Sequence, residues 1–80
     1  MRFDLVEVIW NDATTLDGWS DKDESLVPCL VTSVGFLVQQ TKDYIVLAQD
    51  LAHDGERCGR GQIPRGMVKR IKVLRKKNDR

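Results

Sequence analysis

Eighty residues with a formal net charge of +1 and 41% hydrophobic content leave room for one domain and one core. Two cysteines are too few for a secreted disulfide scaffold, and no apolar run approaches the ~20 residues of a membrane span. The opening MRFDLVEVIW carries Asp4 and Glu7 and lacks the basic flank, length and small-residue cleavage site of a signal peptide, so none is expected there. A soluble cytoplasmic protein with reduced thiols is expected. Because so short a chain keeps a thin stability margin, a homo-oligomer is expected as well.

In chain order, Phe3–Trp10 reads as the first strand, with Val6, Val8 and Trp10 on one face. Asn11–Ser25 is a long polar loop with turn chemistry at Asp17–Gly18, and loops of that length are often functional. Trp19 stands within it, either tucked over the mouth of the fold or facing a partner. Pro28 opens the second strand, Cys29–Gln40, and rules out a helix there. Leu30, Thr32, Val34, Phe36 and Val38 alternate on one face of it; Val31, Ser33, Gly35 and Leu37 occupy the other. A glycine inside so long a strand marks a sharp bend or a close backbone approach, so one strand serves two sheets. Tyr44–Gln49 returns as the third strand, which makes Leu30–Leu51 a β-hairpin around which the chain is organised. His53–Gln62, with three glycines, reads as a solvated turn region. Pro64 interrupts a strand beginning near Ile63, and Met67–Leu74 is the closing strand. The domain spans 1–74, and 75–80 is a charged tail expected to fray.

Charge is divided along the chain. Residues 1–54 hold ten acids against three bases (−7), and residues 55–80 hold ten bases against two acids (+8). Such a division marks a basic face for an anionic partner, two parts of one fold that neutralise each other, or two subunits meeting head to tail.

The pattern Gly61-x-Ile63-Pro64-x-Gly66-Met67-Val68-x-x-Ile71 resembles the C-terminal signature of Src-homology-type small barrels. That resemblance implies a strand, one turn of tight helix and a closing strand. Gly66 and Met67 stand where that family has the Asn and Tyr of its peptide groove, so the resemblance implies the barrel rather than proline-rich peptide binding. Gly35-x-Leu37 with Tyr44–Leu47, then Arg65-Gly66-x-Val68-x-x-Ile71, is similar to the two halves of the Sm-like fold. Its members are bent five-stranded barrels that form RNA-binding rings, and Arg65 and Gly66 match its Arg-Gly pair. Thr41 and Ile45 lie near the base-holding Asp and Asn positions without matching them. Trp10-Asn11-Asp12, Gly18-Trp19, Ser33-Val34-Gly35 and Ile63-Pro64-Arg65 also resemble short uncharacterised bacteriophage reading frames. The expected fold is therefore all-β: a five-stranded, strongly bent SH3-like or Sm-like small barrel with a long loop after the first strand.

No residue set has the spacing of a catalytic or metal site. Cys58 lies between Arg57 and Arg60 with His53 near in sequence, yet no oriented base or oxyanion donor accompanies it, so it reads as structural. Cys29, Cys58 and His53 lack zinc spacing, and Asp17, Asp21, Asp23 and Glu24 lack the glycine turn of a calcium loop. Gly55…Gly59-Arg60-Gly61 is a weak anion cradle with no following helix. The expectation is a non-enzymatic binding protein without a cofactor. Arg57, Arg60, Arg65, Lys69 and Arg70 would take phosphates, and Trp19 or Tyr44 would stack on a base. In a phage setting, within the host cytoplasm, this includes sequestering a nucleotide signal of host defence. The alternative is a protein-interaction module that inhibits or redirects a host protein.

Overall fold

The structure, a computed structural model, describes residues 2–12 and 29–78. The described residues form five antiparallel strands and one short turn of 3-10 helix: β1 (Leu5–Asp12), β2 (Cys29–Gln40), β3 (Tyr44–Leu51), β4 (Arg57–Pro64), η1 (Arg65–Met67) and β5 (Val68–Arg75). They make one sheet in the order β4-β3-β2-β1-β5. Pro28, the Asp17–Gly18 turn, Trp19 and the acidic cluster around it lie outside the described residues. No helix among the described residues is long and apolar enough to cross a membrane.

β2 has the bounds its alternation predicts, but instead of serving two sheets it pairs with two neighbours within one sheet. Cys29 to Phe36 pairs with β1, and Phe36 to Gln40 pairs with β3, so Phe36 faces both Leu5 and Ala48 across the ladders. Gly35 sits at this changeover. A Cβ there would stand 2.9 Å from the Ala48 carbonyl oxygen and 3.2 Å from the Leu47 Cβ, so the bend rests on a missing side chain. A register shift between Leu37 and Gln39 adds further twist just beyond it.

The β2–β3 turn is held by one threonine. Thr41 Oγ1 accepts from the backbone N–H groups of Asp43 and Tyr44, each at 3.1 Å, and Thr41 N–H donates to the Tyr44 carbonyl at 2.8 Å. The β3–β4 turn uses an aspartate instead: Asp54 Oδ1 accepts from Glu56 N–H at 2.9 Å, and Gly55 adopts φ 96°.

The sheet must curl. Lying flat, its outer strands β4 and β5 would be four strand spacings apart, about 19 Å. Yet Pro64, paired with Tyr44, is joined to Val68, paired with Trp10, through three residues of η1. A 3-10 turn rises only about 2 Å per residue, so the two outer strands are drawn together at that end. Pro64 at φ −61° presets the entry, and Val68 N–H closes the turn on the Arg65 carbonyl.

Curling encloses the core. Val6, Val8 and Ile45 are fully buried, with Leu47 and Ile63 in the same cluster, and Trp10, Leu37, Val68 and Ile71 pack against it. Val6 and Val8 lie inward as the alternation of the first strand requires.

Other expectations are corrected. The first strand is shifted two residues, to Leu5–Asp12, because its ladder with β2 runs on to the Asp12–Cys29 pair. The third runs to Leu51 because β4 continues its ladder there. His53–Gln62 is a turn only at its start: Arg57–Pro64 is a strand, paired with β3 from Tyr44 to Leu51. Met67 belongs to η1, and β5 reaches Arg75, with Lys77 N–H bonded to Asp4 Oδ1 at 2.6 Å, so the tail is tied down that far. The expected closure of a barrel is not made: no ladder joins β4 to β5 among the described residues.

Candidate functional site

Of the seven residues expected to bind a ligand, the six described ones are spread over β3, β4, η1 and β5. Trp19 lies outside the described residues. Tyr44 begins β3 beside the β2–β3 turn, where its hydroxyl oxygen accepts from Gln39 Nε2 at 3.4 Å. Arg65 is occupied by the same turn: Nε donates to the Thr41 carbonyl at 2.8 Å, and an Nη donates to Gln40 Oε1 at 3.1 Å. Its backbone N–H donates to the Asp43 carbonyl at 2.8 Å. Arg65 is thus a clasp between η1 and the hairpin tip. Arg57 has its guanidinium 4.9 Å from the centre of the Phe3 ring, a cation–π contact that joins the start of β4 to the N-terminal segment. At ~3.3 Å per residue, Arg57 and Arg65 stand at opposite ends of β4, about 26 Å apart along the chain. No single phosphate spans that.

Arg60 is paired opposite Ala48 on β4, whereas Lys69 and Arg70 lie on β5, the opposite outer strand. Their neighbours on β5 enlarge the set. From Val68 to Lys77 the chain reads VKRIKVLRKK, six cations and no carboxylate. β1 is the sole ladder partner of β5 among the described residues, which fixes the orientation of each side chain. Ile71 is opposite Val8 and Val73 opposite Val6, hence on the inner layer. Arg70 is opposite Ile9 and Lys72 opposite Glu7, hence on the outer face, with Arg75 opposite Leu5 at the far end. Register shifts flank this run, between Leu5 and Val6 and between Ile9 and Trp10. Lys72 and Arg75 join Lys69 and Arg70 on this strand beyond the expected set; the two-residue spacing of Lys72 from Arg70 is the sequence signal for the first of them.

A cleft of about 450 Å³ opens on the concave side, between Trp10 and Ser33 on one wall and β4 on the other. Gly59 and Gly61 share the inner face of β4 with Ile63, and no side chain of the described residues fills the space before Gly61. Trp10 Nε1 donates to Ser33 Oγ at 3.0 Å across the β1–β2 pair. Among the described residues the lining is apolar, amide or hydroxyl, and no charged side chain contributes to it. The basic residues therefore do not serve this cleft. Among the described residues no cluster of three or more His, Cys, Asp or Glu is placed to hold a metal ion.

No protein-family model matches the chain, and neither a curated protein nor a solved structure matches it.

Proposed function

We propose that this protein is a non-enzymatic binding module that takes a linear, anionic macromolecule along β5. The observation that carries the reading is the run of six cations without a carboxylate from Lys69 to Lys77, four of them on β5, a strand paired along one side only among the described residues. The frame is a curled, open five-stranded sheet, and its strand–3-10 turn–strand ending supports a likeness to SH3-like or Sm-like folds in chain order, without barrel closure among the described residues.

Both expected partner classes, nucleic acid and protein, meet the charge requirement. Capture of a single nucleotide, as in sequestering a signalling nucleotide, asks for cations that converge on one phosphate group. Arg70 and Lys72 instead repeat along the strand at about 6.6 Å, a spacing suited to a polymer. Arg57 and Arg65 already hold Phe3 and the hairpin tip.

The test is titration of the full chain into labelled single-stranded DNA and labelled polyglutamate, followed by anisotropy at several salt concentrations. Binding to at least one polymer should weaken as salt rises, and R70E/K72E should lose at least about ten-fold in affinity. Equal affinity of R70E/K72E and the parent protein for both polymers removes β5 as the site.

A further inference from the structure

We infer that the anionic partner is a polypeptide, an extended segment of alternating acidic and aliphatic residues that adds to β5 as a sixth strand; this rests on the reading of β5 as the binding element. Three observations lead there. The first is backbone chemistry. β1 is the one strand laddered to β5 among the described residues, so every second N–H and C=O of an eight-residue strand faces away from it. β5 contains no proline and no glycine, whereas the other outer strand, β4, is interrupted as a template by Gly59 at φ 66° and by Pro64, which has no N–H. Strand addition is therefore directed to β5 rather than β4.

The second observation is the division of its two faces. Arg70 and Lys72 stand on the outer face, while Ile71 and Val73 stand on the inner one, where Val73 is still 44% exposed. A sixth strand with carboxylates at alternate positions meets the cations on one face. Its intervening aliphatic side chains cover Val73 and extend the core row on the other. The partner's pattern follows from the pleat.

The third separates peptide from nucleic acid. β5 carries no aromatic residue on which a base can stack, and a nucleic acid supplies no ladder for the outward backbone groups and no cover for Val73 or Leu74. Self-pairing is disfavoured as well, since two copies of β5 would set like charges against each other. An acidic strand is free of that penalty.

The experiment uses the full chain and three labelled probes: a Glu-Val alternating octapeptide, the same peptide with every second backbone amide N-methylated, and an eight-nucleotide single-stranded DNA. The unmethylated peptide should bind at least about ten-fold more tightly than either other probe. On binding, alternate amide protons between Val68 and Arg75 should become protected from exchange. Equal binding of the two peptides overturns strand addition while leaving anionic recognition at β5 intact, and tighter binding of the DNA does the same by assigning the partner to nucleic acid. Light scattering that shows a dimer which the peptide cannot dissociate or enter assigns the edge to a second copy and also overturns the inference. If none of the three probes binds even at low salt, the inference falls together with the reading of β5 beneath it.

Discussion

Gly35 lies directly beneath Ala48: a Cβ on the glycine would stand 2.9 Å from the alanine carbonyl oxygen. The obstructing atom is backbone, held in the β3 ladder on which the bend of β2 depends. G35A therefore cannot be relieved by turning a rotamer. Overpacking of a core costs about 1–3 kcal/mol, and the upper part of that range is expected here. For a small domain this is a large share of a total stability of about 5–15 kcal/mol. Urea unfolding followed by circular dichroism should show a clearly lower midpoint for G35A at an unchanged slope. A midpoint equal to the parent's would show that β2 does not need the missing side chain.

The same glycine shows how much of the fold was legible in the sequence. The alternation from Cys29 to Gln40 marks both ends of β2, and a glycine within it marks the changeover, because both signals are local. β4 was not legible for a related reason. Gly59 and Gly61 belong to its inner face, toward the cleft, so the positions that would normally carry the apolar half of the alternation carry hydrogen. Only Ile63 remained as a strand signal. The candidate site was legible in its charge, not in its arrangement. Arg65 reads as one more cation until the fold sets it against Thr41, 24 residues earlier, and Arg57 until it meets Phe3. Lys72 and Arg75 gain their meaning from the register with β1, which no local pattern shows.

Gly59 and Gly61 are two residues apart on one strand and should respond differently to alanine. Gly59 has φ 66°, and a Cβ there would lie 2.8 Å from the Gln49 Cβ and 2.7 Å from its Oε1. The amide end can swing away, but the Cβ is fixed to the β3 backbone. The left-handed conformation adds about 1–2 kcal/mol for an L residue. At Gly61 a Cβ meets nothing within 4 Å and the backbone is not in the positive-φ region. G61A should fall between neutral and about 1 kcal/mol stabilising, because it restricts the unfolded chain. Thermal melting of both variants decides the matter: G59A should melt well below the parent and G61A at or above it. Equal melting temperatures would contradict the stated backbone geometry of β4.

Arg65 distinguishes a clasp from a phosphate ligand. Its guanidinium makes two hydrogen bonds to the hairpin tip, both at exposed positions. R65A should cost about 1 kcal/mol of stability, the net value of exposed hydrogen bonds of this kind. R65K should recover little of it, since an ammonium cannot present the forked donors. Affinity for polyglutamate should change less than two-fold in R65A, in contrast to R70E/K72E. A large loss of polymer binding with unchanged unfolding would reverse the assignment and return Arg65 to the binding face.

Trp10 and Ser33 offer the clearest test of the cleft wall. The indole N–H donates to the serine oxygen at 3.0 Å in a half-buried position. S33A removes only the acceptor and leaves that N–H without its partner, which costs about 1–3 kcal/mol. W10F removes the donor but also loses indole volume against the buried core cluster, so its cost combines a hydrogen bond with packing. The single variants alone cannot separate the two contributions; a double-mutant cycle can. Urea unfolding by circular dichroism avoids the change in fluorescence that loss of a tryptophan brings. The W10F/S33A double variant should be less destabilised than the sum of the singles by about 0.5–1.5 kcal/mol, since the second change no longer breaks a bond. Strict additivity would mean that the indole and the hydroxyl do not meet in solution, and the wall between β1 and β2 would then be held by packing alone.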